Sequence, residues 1–476
     1  MKKLTVLLAS SEVVPFSKTG GLADISGSLP KVLKDDVKII VLTPYYQNVD
    51  LSTYTPQVLK AVKIVMAGNN YFVDYYYFND ENVTYVFVKH PFYERENYYG
   101  YHDDDERFFL FSYSILTYLK RAKIKADLLH LNDWQTAITP FLLKTHYRSD
   151  PLFKDLKTLL SIHNLQFQGS FEKDSFKYTN SAFSYDYIHF ERVNFLKAGI
   201  TLANKINTVS PSYQKEFQTE YYGFTLDGAL KSRAQDLKGI LNGIDYEVYN
   251  PETDHHIFFN YTKNSFISGK KNNKLALLKE LKLPALTTLP IVGHIGRLAT
   301  QKGIDLMLAT LEETITKTNA FYLFLGSGEK KYEEFFLYLM HKYPQKVFTH
   351  IGFENRLAHL IYASSDLFLM PSLFEPCGLA QMISMRYGTL PIVRETGGLK
   401  DTVIPYNKYT NEGTGFSFKN YNAHEMMATI ISAVNLFNNN QPVFKSLQKQ
   451  ALNQDYSLKK MGRDYLNLYQ EIIKEE

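Results

Sequence analysis

Positively charged side chains follow apolar runs in two segments of this chain. Lys18 lies in Ser17-Lys-Thr-Gly-Gly-Leu-Ala-Asp24, and Arg297 and Lys302 lie in His294-Ile-Gly-Arg-Leu-Ala-Thr-Gln-Lys-Gly303. Arg grips phosphate oxygens in bidentate geometry, whereas Lys acts as a point charge. Ligands of open α/β sheets bind at the carboxyl ends of strands, so cations there indicate a site for a diphosphate. Solvated loop residues are the competing interpretation.

Glycines accompany the first of these cations. Gly20 and Gly21 lack a Cβ, so we expect a sharp turn that brings backbone N–H groups and the start of a helix close to an anion. An ordinary strand-to-helix turn would have the same sequence. A similar segment, Glu395-Thr-Gly-Gly-Leu-Lys-Asp401, recurs in the second half and suggests two domains facing one cleft. Neither segment is the G-x-G-x-x-G fingerprint, which counts against a dinucleotide-dependent dehydrogenase.

One carboxylate has an unusual setting. Glu375 stands between Phe374 and Pro376, after a predicted strand. There it could bond sugar hydroxyls or stabilise positive charge in an oxocarbenium-like transition state. Capping of the following helix is the alternative role.

Two further strand ends carry polar residues. His163 and Asn164 follow an apolar run, where a histidine has either a catalytic or a structural role. Asp133 follows another run and could bond a sugar hydroxyl, or it could N-cap a helix beginning near Gln135.

A cluster of acidic residues has the form of a metal site. Asp103-Asp-Asp-Glu106 contains a D-x-D string, but it leads into a predicted helix over Arg107–Arg121, whose N-terminus acidic residues stabilise. The single cysteine, Cys377, excludes an intramolecular disulfide and a multi-cysteine metal site. We therefore expect neither a metal ion nor a cofactor.

The bulk properties favour a two-domain cytoplasmic protein. The chain has 476 residues, more than one hydrophobic core usually serves, and a net charge of only +4. This charge does not indicate a nucleic-acid partner. No run approaches the roughly 20 apolar residues of a membrane span, and Leu4–Ala9 is too short for a signal peptide.

Short apolar runs alternate with helical patterns, which predicts βαβ units and parallel sheets. The predicted strands are 4–10, 37–42, 84–89, 128–131, 158–163, 206–210, 239–241, 290–295, 321–325, 347–351, 367–370 and 391–393. A polar, aperiodic stretch over 250–274 places the domain boundary just before it, near residue 246. An apolar stripe from Leu458 to Ile473 predicts a closing helix packed on a domain.

Six ordered motifs together resemble those of the bacterial glycogen synthases and plant starch synthases, over essentially the full length. They are Ser17–Asp24, Asn132–Trp134, Ile162–Asn164, Gly239–Asp245, Gly296–Leu298 with Gln301–Gly303, and Phe374–Leu379 before Thr396–Gly398. The resemblance implies an α/β protein with a GT-B fold, in which two Rossmann-like α/β/α domains face an active-site cleft. The expected domains are 1–245 on the acceptor side and 246–457 on the sugar-nucleotide side, with helix 458–476 returning to the first.

The resemblance also implies roles for individual residues. The implied catalytic residues are Lys18, His163, Arg297, Lys302 and Glu375. The implied substrate-binding residues are Lys18, Gly20, Gly21, Asp24, Asp133, Asn164, Asn242, Cys377, Gly378, Leu379, Thr396, Gly397 and Gly398. In this scheme Arg297 and Lys302 neutralise the diphosphate as ADP leaves, and residues 396–398 supply backbone donors.

The implied activity is transfer of glucose from ADP-glucose to the non-reducing end of an α-1,4-glucan or glycogen, with retention of configuration. A UDP-glucose-dependent glucan synthase of the same fold, a dehydrogenase, a glycogen phosphorylase and a non-catalytic glucan-binding protein are the alternatives. The long chain and pyridoxal-phosphate lysine motif of phosphorylases are missing here. The aromatic segment Tyr98–Tyr101 occupies a variable acceptor-side loop, so its contacts are left open.

Overall fold

The alternation of strands and helices builds two α/β units in the computed structural model, which describes residues 3–181 and 184–475. The first unit comprises the chain up to Asn242 together with the segment from Leu458 onwards, and the second is Gly243–Ser457. The sequence placed the boundary near residue 246.

The first unit contains a nine-stranded and a three-stranded sheet. Its strands are β1 Thr5–Ala9, β2 Lys38–Pro44, β3 Gln57–Met66, β4 Asn69–Asp80, β5 Val83–Lys89, β6 Leu128–Asn132, β7 Lys157–Ile162, β8 Ser170–Phe171, β9 Ile188–His189, β10 Arg192–Asn194, β11 Lys205–Thr208 and β12 Leu237–Gly239. The large sheet has the order β12-β11-β7-β6-β1-β2-β5-β4-β3 and the small one β8-β10-β9. Strands β12 to β5 of the large sheet are parallel, and β3 and β4 are antiparallel.

Helices connect these strands. They are α1 Gly21–Leu33, α2 Asp104–Arg121, α3 Thr139–His146, α4 Phe195–Leu202, α5 Pro211–Glu216 and α6 Asp227–Ser232. The parallel strands are almost wholly buried, as expected for a sheet covered on both faces.

The second unit has a six-stranded parallel sheet. Its strands are β13 Ile291–Ile295, β14 Phe321–Gly326, β15 Val347–Ile351, β16 Leu367–Met370, β17 Leu390–Arg394 and β18 Phe416–Phe418. Its helices are α7 Phe266–Glu280, α8 Ile304–Lys317, α9 Lys330–Lys342, α10 Asn355–Ser364, α11 Ala380–Arg386, α12 Gly397–Thr402, α13 Ala423–Asn439 and α14 Gln441–Leu452. The order β15-β14-β13-β16-β17-β18 is the 3-2-1-4-5-6 order of a Rossmann sheet.

The last helix completes the first unit. Helix α15, Leu458–Lys474, packs on α1, and Gly462 allows this close approach because a Cβ there would lie 3.0 Å from Val32. The hydroxyls of Tyr469 and Tyr465 bond His130 and Asn207 of the large sheet at 2.7 and 3.0 Å. The predicted closing helix is thus confirmed.

Every strand expected from the sequence is present, with ends shifted by a few residues. Strands β3, β4 and β18 and the small sheet were missed. The stretch predicted to be aperiodic contains the start of α7 at Phe266. In the part of the chain that the structure describes, no helix is long and apolar enough to cross a membrane.

Candidate active-site residues of each unit

Strand order brings three predicted loops of the first unit to one edge. Strands β1, β6 and β7 are parallel neighbours, so the segments that follow them start side by side. Lys18 lies after β1, Asp133 after β6 and His163 after β7. The chain changes winding direction between β1 and β6, which is where open α/β sheets bind ligands.

Asp133 and His163 are joined directly. The N–H of His163 donates to Asp133 Oδ1 at 2.7 Å, and both side chains are buried. Asp133 has φ +53°, an uncommon backbone conformation for a non-glycine residue. It does not N-cap a helix, because α3 begins only at Thr139. Burial raises the pKa of Asp133 to about 7, against the lowering effect of the His163 and Asn164 amides.

The hydrogen bond between His163 and Asn132 determines which ring nitrogen of His163 carries the proton. Its Nε2 lies 2.9 Å from Asn132 Oδ1, and Asn132 Nδ2 donates to the carbonyl of Ala9 at 3.0 Å. Because this Oδ1 only accepts, the proton of His163 must reside on Nε2, which leaves Nδ1 as an acceptor. Burial lowers the pKa of His163 to about 4. The ring is therefore a neutral hydrogen-bonding group near pH 7.

The Lys18 loop is more open than expected. Lys18 Nζ pairs with Asp24 Oδ1 at 2.7 Å, with the lysine side chain 53% exposed. Gly20 has φ −158°, which any residue can adopt, and neither Gly20 nor Gly21 has a positive φ. The expectation of a glycine-specific turn is thus wrong. A Cβ at either glycine would meet nothing within 4 Å, so the space above the start of α1 is open for a ligand.

Two asparagines have different surroundings. Asn164 Oδ1 accepts from the N–H of Gln166 at 3.1 Å, so this side chain stabilises its own turn. Asn242 ends the first unit, and its side chain is buried. Its Oδ1 has no hydrogen-bond partner among the residues that the structure describes. A buried unpaired acceptor of this kind suits a ligand donor.

Glu12 was missed by the sequence analysis. Its buried carboxylate accepts from the N–H and the Oγ1 of Thr19, the latter at 2.7 Å, and from Tyr99 Oη at 2.7 Å. It therefore ties the Lys18 loop to the Tyr98–Tyr101 segment. The available signal was a glutamate between the end of strand β1 and the motif that begins at Ser17.

In the second unit, candidate site residues also lie together at one edge of the sheet. The loops after β13 and β16 flank the point where strand order reverses, and they carry Lys302 and Glu375. Lys302 Nζ lies 2.6 Å from Glu375 Oε2, which also accepts from Ser372 Oγ at 3.1 Å. Residues distant in sequence thus form one ion pair, as their shared edge predicts.

Backbone contacts fix this pair. Gly303 has φ +73°, and a Cβ there would lie 2.1 Å from the carbonyl oxygen of Pro371, so the turn after Lys302 requires glycine. The N–H of Leu373 donates to the carbonyl of Gln301 at 2.9 Å. Arg394, at the end of β17, donates to the carbonyls of Ser372, at 2.8 Å, and of Leu373. The Glu375 loop is therefore held from both neighbouring strands.

Arg297 is the more accessible cation. Its Nη2 donates to Gln301 Oε1 at 2.9 Å, and the side chain is exposed. Nearby, buried His294 donates from Nδ1 to the carbonyl of Leu369 at 2.9 Å, and burial lowers its pKa to about 4. His294 Nε2 has no partner within the described ranges, which makes it a second site candidate that the sequence analysis missed.

The second glycine pair has a packing role. Gly397 has φ +44°, and a Cβ on it would lie 2.1 Å from the carbonyl oxygen of Glu375. The N–H of Gly398 already donates to that oxygen at 3.1 Å, and the N–H of Thr396 donates to Arg394 at 2.9 Å. These two amides are thus engaged within the protein, contrary to the expectation that they act as donors to a ligand.

The segment after Glu375 is shielded. Cys377 is only 4% exposed, Gly378 has φ +73°, and Leu379 precedes α11. Helix α11 begins at Ala380, so Cys377 is not at its first turn.

The acidic cluster lies at the start of helix α2, as the sequence analysis expected. Asp103 pairs with Arg95 at 2.6 Å and Asp104 with buried Arg107, while Asp105 and Glu106 lie in the first turn of α2. Across residues 3–181 and 184–475, no group of three or more His, Cys, Asp or Glu side chains is placed to hold a metal ion.

Known proteins match both units. Residues 5–232 match the model of the starch synthase catalytic domain, and residues 280–449 that of glycosyl transferases group 1. A glycogen synthase of Acholeplasma laidlawii is 50% identical over 99% of this chain and all of its own, and one of Clostridium acetobutylicum is 42% identical over the same shares. The structure of the catalytic domain of starch synthase IV from Arabidopsis thaliana matches with a TM-score of 0.90 and 29% identity, over the whole of both chains.

The fold and the matches to known proteins together show that this chain is a glycosyltransferase with the GT-B fold. Such enzymes move a sugar from an activated donor to an acceptor. The chain belongs to the family of glycogen synthases, whose substrates are a nucleotide sugar and a glucan.

Proposed function

We propose that this chain transfers glucose from ADP-glucose to the non-reducing end of an α-1,4-glucan, with retention of configuration and without a metal ion. The starch synthase IV structure contains ADP and acarbose, and it supports an adenine-nucleotide donor for this chain. The single observation that carries the proposal is the pairing of Lys302 with Glu375 at the switch point of the Rossmann sheet, with Arg297 in the same loop.

The leaving group is the part of the reaction that these residues suit. As the bond from the anomeric carbon to the β-phosphate oxygen breaks, negative charge develops on ADP. Arg297 and Lys302 stabilise that charge, and Lys18 approaches the donor phosphate from its own loop. These cations do the work that a divalent ion does in other transferases.

Retention follows from attack on the same face. The acceptor hydroxyl oxygen bonds the anomeric carbon, and its proton passes to the departing phosphate. Glu375 is not assigned as a nucleophile, because its Oε2 is already held by Lys302 and Ser372. Its carboxylate instead stabilises positive charge on the sugar ring. His163, neutral and with Nδ1 accepting, bonds a sugar hydroxyl.

The proposal is tested by incorporation of labelled glucose into glycogen, with ADP-glucose compared with UDP-glucose. We expect faster turnover with ADP-glucose, full activity in EDTA, and release of the label by an α-1,4-specific glucosidase. Equal or faster turnover with UDP-glucose would overturn the donor assignment. Loss of activity in EDTA that Mg²⁺ restores would overturn the metal-independent mechanism.

A further inference from the structure

The small sheet of the first unit presents an exposed aromatic ring, Phe190, at the turn between two of its strands. Strands β9 and β10 pair as a hairpin, with His189 opposite Arg192, so Phe190 and Glu191 form a two-residue turn. Both have positive φ, +47° and +58°. Turns of this type favour Asn-Gly, and a bulky aromatic residue is unusual at such a position. Phe190 nevertheless stands there with 74% of its surface exposed.

A second exposed ring and an imidazole accompany it. The ring of His189 lies 4.4 Å from that of Phe190, and Tyr185 is 80% exposed. Lys197 Nζ of helix α4 donates to the carbonyls of Tyr185 and Ile188, at 3.0 and 2.5 Å, so the approach to the hairpin is anchored beside it. We call Tyr185, His189 and Phe190 the aromatic hairpin.

Side-chain hydrogen bonds tie the two residues that flank the turn to neighbouring segments. His189 Nε2 lies 2.9 Å from Thr225 Oγ1, and Arg192 Nε donates to Ser170 Oγ at 3.1 Å. An exposed ring on a fixed turn loses little conformational freedom when a ligand stacks on it. A strained, exposed and well-supported aromatic side chain is the pattern of a binding element.

The charges around the hairpin indicate the kind of ligand. Glu191 pairs with Lys173 at 2.7 Å, Arg192 pairs with Glu172, and Lys197 Nζ is held by two backbone carbonyls, so each of these three cations is already engaged within the protein. A phosphate ligand would need unmatched cations. A neutral ligand with flat apolar faces and many hydroxyls fits instead, and a glucan chain has both.

The hairpin is also tied to the segments that follow β6 and β7, which carry Asp133 and His163. Strand β8 begins six residues after Asn164, a span of at most about 21 Å. The N–H of Phe195, at the base of the hairpin, donates to the carbonyl of Gly169 at 3.0 Å. Gly169 packs against Trp134, which adjoins Asp133.

We propose that the aromatic hairpin is a secondary glucan-binding site, on which Phe190 stacks against glucose rings of the polymeric acceptor away from its reacting end. The inference rests on the proposed function only in taking a glucan as the acceptor. The hairpin increases the affinity for glycogen and leaves the chemical step unchanged.

The test is native gel electrophoresis of the full chain in gels with and without glycogen, with no donor present. Phe190→Asn removes the ring and installs a residue that the turn prefers, so its melting temperature should equal or exceed that of the parent chain. We expect it to bind glycogen about 3- to 10-fold more weakly. Phe190→Tyr keeps a ring and should bind normally. Phe353→Asn is the matched control, because Phe353 is 81% exposed in the second unit.

Kinetics add a second readout. Phe190→Asn should raise the KM for glycogen by the same factor while kcat, and the KM for a short maltooligosaccharide, stay unchanged. Unaltered glycogen binding by Phe190→Asn, an equal loss in Phe353→Asn, or an equal loss with the short acceptor would overturn the inference. Because the gel contains no donor, a chain inactive with ADP-glucose would refute the proposed function while leaving the binding result intact.

Discussion

Lys302 Nζ lies 2.6 Å from Glu375 Oε2, so two residues with proposed catalytic roles form a single ion pair. The lysine side chain is 22% exposed and the glutamate side chain 7%, which makes the pair largely desolvated. Removal of one partner leaves the other charge buried and unmatched. A substitution at either position therefore reports on both residues, and on the fold as well as on the chemistry.

This pairing predicts different consequences for the two cations of the loop. Lys302→Ala and Arg297→Ala should each lower turnover by about 10²-fold or more, because each removes a charge partner of the leaving diphosphate. Only Lys302→Ala should also lower the melting temperature, by a few degrees, because an unmatched Glu375 costs about 1–3 kcal/mol. Arg297 is exposed and donates a hydrogen bond to Gln301, so its loss should leave the melting temperature unchanged.

The coupling is checked by calorimetry and steady-state kinetics on four variants. These are Lys302→Ala, Arg297→Ala, Glu375→Gln and the double variant Lys302→Ala/Glu375→Gln. We expect the stability changes to be non-additive, with the double variant more stable than the sum of the singles predicts. Additive stability changes, or an equal melting shift in Arg297→Ala, would contradict the coupling.

Lys18 should separate activity from stability most cleanly. Its ion pair with Asp24 is exposed, and such pairs contribute little to folding. Lys18→Ala should thus lower turnover by about 10²-fold at an unchanged melting temperature. The control is Lys125→Ala, which breaks an exposed pair with Asp155 in the same unit and should leave both quantities unchanged. A large melting shift with normal turnover in Lys18→Ala would assign Lys18 a structural role.

The sequence was sufficient for the parallel strands, because their continuous apolar runs stand out from the helical pattern around them. The missed pair β3 and β4 is half exposed: Val62, Ile64 and Met66 are buried, while Lys63 and Val65 between them face solvent. That alternation was a usable signal for an antiparallel strand. The β18 strand is only three residues long and has no comparable pattern.

Motifs in the sequence marked the candidate site residues but did not reveal the contacts among them. Motifs identified Lys302 and Glu375 separately, whereas their pairing depends on β13 and β16 being neighbours in the sheet. The glycine motifs were recognised, but for a wrong physical reason. Gly20 has a negative φ and open space above it, whereas the carbonyl of Glu375 excludes a side chain at Gly397, and both observations need coordinates.

Asp133 predicts a pH dependence of stability. Its pKa is about 7 in the folded chain because of burial, against about 4 in an unfolded chain. Between about pH 4 and about pH 7, the Asp133 carboxyl is protonated in the folded chain and ionised in the unfolded chain, so unfolding releases a proton. The contribution of Asp133 to the free energy of unfolding is therefore fully present below about pH 4 and is lost as the pH rises through about 7. Asp133→Asn cannot ionise and should gain stability relative to the parent chain, on the order of a few kcal/mol, from about pH 5 to about pH 8.

Melting temperatures of both chains across this range are the measurement. The difference between Asp133→Asn and the parent chain should grow steadily with pH and level off above about pH 8. The matched control, Asp155→Asn, removes an exposed carboxylate and should show no such trend. A difference that is independent of pH would mean that Asp133 is ionised throughout.

Burial of Cys377 predicts that its thiol reacts slowly in the native chain. The thiol is 4% exposed, its backbone carbonyl accepts from Gln381 Nε2 at 3.1 Å, and a Cβ on Gly398 would lie 2.2 Å from that carbonyl oxygen. Buried thiols react slowly, so a bulky maleimide should label the native chain at least about 100-fold more slowly than the denatured chain. One label per chain should be found after denaturation, because Cys377 is the single cysteine. Cys377→Ser should keep appreciable activity and should not be labelled in either state. Rapid labelling of the native chain that ADP suppresses would show instead that this segment opens to solvent beside the donor, and that the packing of Gly398 against Cys377 is not maintained.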